Sequence, residues 1–243
     1  MRSVSTYVIL FIKSIDFYQS AMKSDYEKPT MTPDLVIFDC DGVLVDSEII
    51  SNTVLSEVLT SIGLCITPDD CMDLFLGKSW DYCLRIVRER FNKQPPHSLY
   101  EIYMEKMFAK FEEKLTPIES IEYALDNLPY PKCVASSGPH IKINKTLSIT
   151  GLLHRFGENV YSANDVKEGK PAPDLFLHAA MQMGADPKNT LVIEDSIAGI
   201  QAAYKAKMTP LAFCPTKTNP AIEETNSIVF NNMTELPALV NKL

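Results

Sequence analysis

The chain has 243 residues, of which 46% are hydrophobic and 22% charged, a balance that supports a buried core and excludes disordered, collagen-like and low-complexity classes. Lys plus Arg total 23 against 31 Asp plus Glu, giving −8 at pH 7. That sign argues against a nucleic-acid partner, which needs a basic face, but leaves room for a small anionic ligand met by a few local donors. The six cysteines (Cys40, Cys65, Cys71, Cys83, Cys133 and Cys214) form no Cys-x-x-Cys pair, and several lie in apolar runs. They read as reduced, mostly buried thiols of a cytoplasmic protein, not as a disulfide framework or zinc site. The four histidines add no metal-ligand spacing.

At the amino terminus the apolar run of residues 7–12 is broken by Lys13 and Asp16. It falls short of the roughly 20 apolar residues of a membrane span and lacks the layout of a signal peptide, so no membrane partner is expected. Val8, Phe11, Ile12, Ile15, Tyr18 and Met22 fall at helical spacing, which allows an amphipathic docking helix. The favoured reading makes residues 1–33 an appended extension, with Met22 and Met31 each able to begin a shorter chain and residues 28–33 a linker.

Residues 34–39 form a short apolar run ending in acid, which predicts a buried parallel strand. Helical patterns follow over residues 47–62, 68–76, 80–92 and 98–114 with no convincing strand among them. Thr67 stands as candidate N-cap, followed by Pro68 and two acids. Beyond Pro117, strands are expected at 132–136, 159–162, 190–194 and 210–213, with 227–230 as a weaker edge. Helices at 118–127, 140–150, 173–183 and 197–206 lie between them. Strand–helix alternation implies a parallel sheet covered on both faces, whose chemistry sits at the carboxyl ends of its strands.

Four strand ends or loops carry chemistry. In Phe38-Asp39-Cys40-Asp41-Gly42 the two acids are two apart and share a side of an extended chain, where they repel unless one is protonated or a cation intervenes. Turn chemistry or helix capping is the bland reading of that pattern. A second strand ends in Glu194-Asp195. Carboxylates converging at one sheet edge call for a hard divalent cation with oxygen ligands, with Mg²⁺ the expected ion. Helix capping near Ile197 is compatible with that role. Ser136-Ser137-Gly138 offers hydroxyl and amide groups that could cradle an anion, or that merely cap a turn. In Glu168-Gly169-Lys170-Pro171-Ala172-Pro173, flanking Gly and Pro hold Lys170 in a stiff loop where it can offset carboxylate charge and grip a phosphoryl oxygen. No Walker-type phosphate loop is present.

With these elements in chain order, the sequence resembles the haloacid dehalogenase (HAD) superfamily, in the branch with a helical cap after the first strand. The stretches that carry the likeness are 38–48, 135–138, 169–174 and 193–203, and it spans about residue 34 to the carboxyl terminus. The resemblance implies an α/β fold, with a Rossmann-like parallel-sheet core formed by residues 34–49 and 118–243 and an α-helical cap inserted at 50–117. It also implies that Asp39 is a nucleophile taking the phosphoryl group as an aspartyl phosphate, and that Asp41 is its acid–base partner with a backbone carbonyl on Mg²⁺. Ser136, Ser137 and Lys170 would bind phosphate. Asp39, Asp41, Glu194 and Asp195 would form the metal site. An acid at position 41 points to phosphate esters, because dehalogenases of the superfamily lack it.

In the cap, Gly77-Lys78-Ser79-Trp80 corresponds to the family's specificity loop. Lys78 could meet a second anionic group and Trp80 could stack on a sugar, or Trp80 could be cap core and Lys78 solvent-exposed. Arg85 and Arg88 read as helix-surface charges. The expected function is a Mg²⁺-dependent phosphatase of small sugar or sugar-acid phosphates, acting as a monomer or weak dimer. The alternatives are a β-phosphoglucomutase-like phosphomutase and a non-catalytic HAD-fold binding protein.

Overall fold

The computed structural model describes residues 32–75, 80–92, 94–215 and 220–243. Expectations placed on residues 1–31 and on Gly77, Lys78 and Ser79 lie outside the described residues.

The sheet is built around β1 (Leu35–Phe38), a strand with no exposed residue. It lies between β2 (Lys132–Ser136) and β4 (Thr190–Glu194), and β3 (Val160–Ser162), β5 (Thr209–Phe213) and β6 (Ile228–Phe230) extend the sheet in the order β3-β2-β1-β4-β5-β6. Every pairing is parallel. Phe38 is level with Val134 on one side and Ile193 on the other. The residues that follow these three strands therefore emerge at one edge. Neighbouring strands lie about 5 Å apart, so register brings Asp39 level with Glu194, and Ser136 ends β2 one residue beyond the level of Asp39.

Side chains of the central strands alternate between two apolar layers, as a period of two requires. Leu35, Ile37, Cys133, Ala135 and Val192 pack beneath α7 (Asp174–Met183) and α8 (Ile197–Lys205), with Phe176, Ala179, Ala202 and Ala203 completing that layer. Val36, Phe38, Val134, Leu191 and Ile193 face the other way. Their cluster runs on without a break into the helices between β1 and β2, taking in Val54, Val58, Cys71, Val87, Met107 and Phe111. Those helices are α1 (Glu48–Ser61), α2 (Pro68–Phe75), α3 (Trp80–Phe91) and α4 (Leu99–Lys114). Thr67 caps α2 as its sequence suggests: its hydroxyl accepts from the Asp70 amide, while the Asp70 carboxylate accepts from the Thr67 amide and hydroxyl.

The chain leaves the sheet and returns to it along paired segments. Val45 bridges antiparallel to Pro117, the Asp46 amide donates to the Thr116 carbonyl, and the Ile118 amide donates to the Leu44 carbonyl. After the return, α5 (Ile121–Asp126) begins three residues later than periodicity suggests, because Ser120 sits in the left-handed region at φ 63° and cannot continue a helix. α6 (His140–Ile149) follows β2. The carboxyl-terminal helices α9 (Pro220–Glu223) and α10 (Leu236–Val240) are too short for periodicity to reveal. All six cysteines are free, and only Cys65 is exposed. Among the described residues, no helix is long and apolar enough to cross a membrane.

Phe38 is fully buried and meets Phe156 edge-on at 6.2 Å between ring centroids. Phe38→Ala is expected to lower the unfolding free energy by about 3–5 kcal/mol, read by urea titration. Ile49→Ala, at a side chain 64% exposed, is expected to change it by less than about 0.5 kcal/mol.

Candidate active site

Asp39 follows β1, and its amide donates to the Ile193 carbonyl at 3.0 Å, so the sheet register fixes its backbone. Its carboxylate meets Lys170, whose Nζ donates to Asp39 Oδ1 at 2.6 Å and to Glu194 Oε1 at 2.7 Å. The Lys170 side chain is 3% exposed and that of Glu194 1%. The Gly–Pro loop that presents this lysine is closed by the Ala172 amide on the Gly169 carbonyl and by Lys205 on the Pro171 carbonyl. The ammonium also lies over the ring of Phe176 on α7, 4.8 Å from its centroid.

Glu194 serves two purposes at once. One oxygen takes Lys170, while the other accepts from the Asp195 and Ser196 amides and from the Ser196 hydroxyl. Ser196 in turn caps α8 by accepting from the Gly199 amide. A Cβ at Gly199 would stand 1.8 Å from Glu194 Oε1, so only glycine lets α8 come this close to the carboxylate. Gly42 plays the matching part for Asp195. Its φ of +74° suits glycine, and a Cβ there would fall 2.1 Å from Asp195 Oδ2.

Asp41 is held separately from Asp39. Its carboxylate accepts from Lys142 at 2.7 Å and from the Ser47 hydroxyl at 2.5 Å. Cys40, between the two acids, turns inward against Thr146. The buried Ser136 hydroxyl accepts from the Gly138 amide at 3.2 Å, and Ser162 donates to the Gly138 carbonyl, which shapes the loop after β2. Ser137 is exposed beside it. The structure thus gathers Asp39, Lys170 and Glu194 by direct contact, with Asp195 and Asp41 close enough to act on them electrostatically. Trp80 is partly buried, stacked on Tyr103 at 5.4 Å and tilted against Tyr100 at 5.2 Å. Arg85 pairs with Glu89 on the helix surface.

Charge at the site is unequally shared. Burial pushes Asp39 from 3.8 up to about 7, with Lys170 pulling it down and the Glu194 and Asp41 charges pushing it up again. Asp195 is raised well above the usual carboxylate range by burial and then by Glu194, Asp39 and Glu48. Glu48, at the start of α1, rises to about 7 through burial and the charges of Asp41 and Asp46. Asp41 goes the other way. Burial would raise it, but the Lys142 charge and hydrogen bond, with that of Ser47, hold it below 3.8. Burial disfavours the Lys170 cation, yet its two carboxylates outweigh that and strengthen it.

Among the described residues, no three His, Cys, Asp or Glu side chains are gathered as a ready-made metal cage. The donor chemistry nonetheless suits a Mg²⁺-type ion, which keeps several waters and takes only one or two protein carboxylates. Asp39 and Asp195, each raised by burial and then by its neighbours' negative charge, supply such oxygens.

Sequence reasoning missed Lys142, Ser47 and Phe176. Lys142 carries a readable signal, since it places a cation in the first turn of α6, where the helix dipole disfavours it and no acid accompanies it.

A parallel sheet whose central strand ends place two buried carboxylates on one lysine defines an acid-rich hydrolase site of the HAD type. Residues 36–213 match the haloacid dehalogenase-like hydrolase family, and the chain belongs to it. Among curated proteins it is 30% identical over 205 residues to the 6-phosphogluconate phosphatase of Escherichia coli K12, covering 84% of this chain and 93% of that protein. It is also 30% identical over 174 residues to the fructose-1-phosphate phosphatase YqaB of the same organism, covering 71% and 92% respectively. Among solved structures, a haloacid dehalogenase-like protein of unknown function from Agrobacterium tumefaciens superposes with a TM-score of 0.74 at 33% identity, over 85% of this chain and 97% of that one.

Two predictions follow from this packing and charge. Gly199→Ala is expected to displace Glu194 and cost about 1–3 kcal/mol, measured by urea unfolding. Asp39 and Glu48 bind protons more readily in the fold than in the unfolded chain. Their stabilising contribution is therefore complete below their ordinary pKa values and is lost as pH rises toward about 7. In chelator-containing buffer the unfolding free energy is expected to fall between about pH 4 and pH 7. Asp39→Asn should flatten part of that fall, and an unchanged slope would refute the assignment.

Proposed function

We propose that the protein is a Mg²⁺-dependent phosphatase of small phosphorylated metabolites, of the sugar or sugar-acid phosphate class, working through an aspartyl phosphate on Asp39. The observation that carries the reading is the buried Lys170 ammonium held jointly by Asp39 and Glu194 at the ends of β1 and β4. The substrate class is inferred from the 6-phosphogluconate and fructose-1-phosphate phosphatases to which the chain is similar.

Asp39 attacks phosphorus, the bond to the ester oxygen breaks, and Asp41 gives that oxygen a proton so that it leaves as an alcohol. Water then attacks the phosphorus of the aspartyl phosphate and loses a proton to Asp41, releasing phosphate and freeing Asp39. Asp41 is thereby protonated again for the next ester, and the net reaction is ester plus water to alcohol plus phosphate. Lys170, already fixed by Asp39, Glu194 and Phe176, can meet an equatorial phosphoryl oxygen without reorganising. Ser136, Ser137 and the loop amides offer further donors to the phosphate. A divalent cation held by Asp39, Asp195 and the Asp41 carbonyl, with Glu194 directly or through water, would offset carboxylate charge and polarise the phosphoryl group. The helical block Glu48–Lys114 is read as a cap that excludes water and contacts the rest of the substrate.

The test is phosphate release from a panel of sugar and sugar-acid phosphates with Mg²⁺, alongside a coupled assay for isomerised sugar phosphate. Wild type is expected to release phosphate and form no isomer, to lose activity in chelator, and to regain it on adding Mg²⁺. Asp39→Asn is expected to fall at least about 10³-fold, and Lys170→Met about 10²–10³-fold. Equal phosphate release by Asp39→Asn and wild type would sink the mechanism.

A further inference from the structure

We propose that Lys142 is a positioning residue for Asp41, setting the orientation of its carboxylate. The inference rests on the reading of Asp41 as the acid–base group and adds a residue that acts through it.

Lys142 is the third residue of α6, with no acid in that helix's first turn. The positive end of a helix is a poor place for a cation, so its position needs a local cause. Its side chain is 17% exposed, which is too enclosed for a solvated surface lysine. The stem crosses the loop after β2, with Cδ at 3.4 Å from where a Gly138 Cβ would stand. The ammonium ends 2.7 Å from Asp41 Oδ2, while Ser47, just before α1, takes Oδ1. With both oxygens engaged from different elements, the carboxylate cannot turn freely. Asp41 is the acid–base group of the proposed reaction, so its aim decides whether a proton reaches the departing oxygen.

The helix that carries Lys142 is also tied to the helical block. One turn further along α6, Lys145 pairs with Glu112 of α4. α4 and α6 are in contact, so the helical block packs on the helix that aims Asp41.

The experiment is a double-mutant cycle on phosphate release from the best sugar phosphate found for wild type. Lys142→Met is expected to lower kcat about 10–100-fold while KM moves less than about threefold, and Lys142→Arg to recover part of the loss. Asp41→Asn alone is expected to lower kcat about 10²–10⁴-fold. Adding Lys142→Met to Asp41→Asn should then cost less than about threefold more, because Lys142 would have nothing left to aim. Multiplicative losses in the double variant would overturn the inference, as would a loss carried wholly by KM, which would make Lys142 a substrate-binding group. Either result would leave the phosphatase reading standing. Failure of wild type to release phosphate from any ester would overturn both.

Discussion

A single buried ammonium shared by two carboxylates is the constraint around which this site is organised. Unpaired, any one of these three charges would cost several kcal/mol in the interior. Together, Lys170, Asp39 and Glu194 tolerate burial, but with both acids ionised they leave one negative charge in excess, and burial together with that excess drives the neighbouring Asp195 toward its neutral form. Much of the surrounding sequence serves to hold that arrangement. Phe176 puts a ring face under the ammonium, Ser196 and two amides fix the second oxygen of Glu194, and glycines at 42 and 199 leave room where any side chain would collide with a carboxylate.

Topology explains why the groups meet at all. Asp39 and Glu194 are far apart along the chain, yet they stand level at the ends of two adjacent parallel strands, and Ser136 ends the strand on the other side of β1 one residue further on. The helical block enters and leaves beside Asp41 and Ser47, on two segments that bridge each other at Val45 and Pro117. Its apolar side chains merge with one face of the sheet, so its packing and the placement of Asp41 are mechanically joined. Substrate contacts made by the block would therefore be registered close to the reacting atoms.

The strands and the longer helices were legible because their apolar periodicity is strong and Gly, Pro and N-cap residues punctuate them. The pairing of Lys170 with carboxylates was also readable, since a lysine between Gly and Pro on a stiff loop has few uses on a solvated surface. Periodicity cannot say which of two acids a given lysine serves. That depends on where α6 lies relative to β1, so the Lys142–Asp41 contact, joining residues 101 positions apart, stayed hidden. The short carboxyl-terminal helices were invisible for want of length. Trp80 had two readings, and here its ring stacks on Tyr103 and tilts against Tyr100.

Asp39 and Asp41 stand two residues apart and are driven in opposite directions, the first toward its neutral form and the second toward its ion. Such divergence separates roles where identical side chains sit together. In the proposed reaction ionised Asp41 can take a proton from water but must first acquire one before it serves a departing alkoxide, which fits a cycle in which the second half-reaction primes the first. In the proposed reaction Asp39 poses the opposite problem, because as nucleophile it must be charged while its surroundings favour the acid. Lys170 alone does not correct this, being divided between Asp39 and Glu194. A further positive charge beside Asp39 would restore its nucleophilic form and relieve Asp195 at the same stroke, which is why the carboxylate excess and the proposed cation requirement are one electrostatic argument.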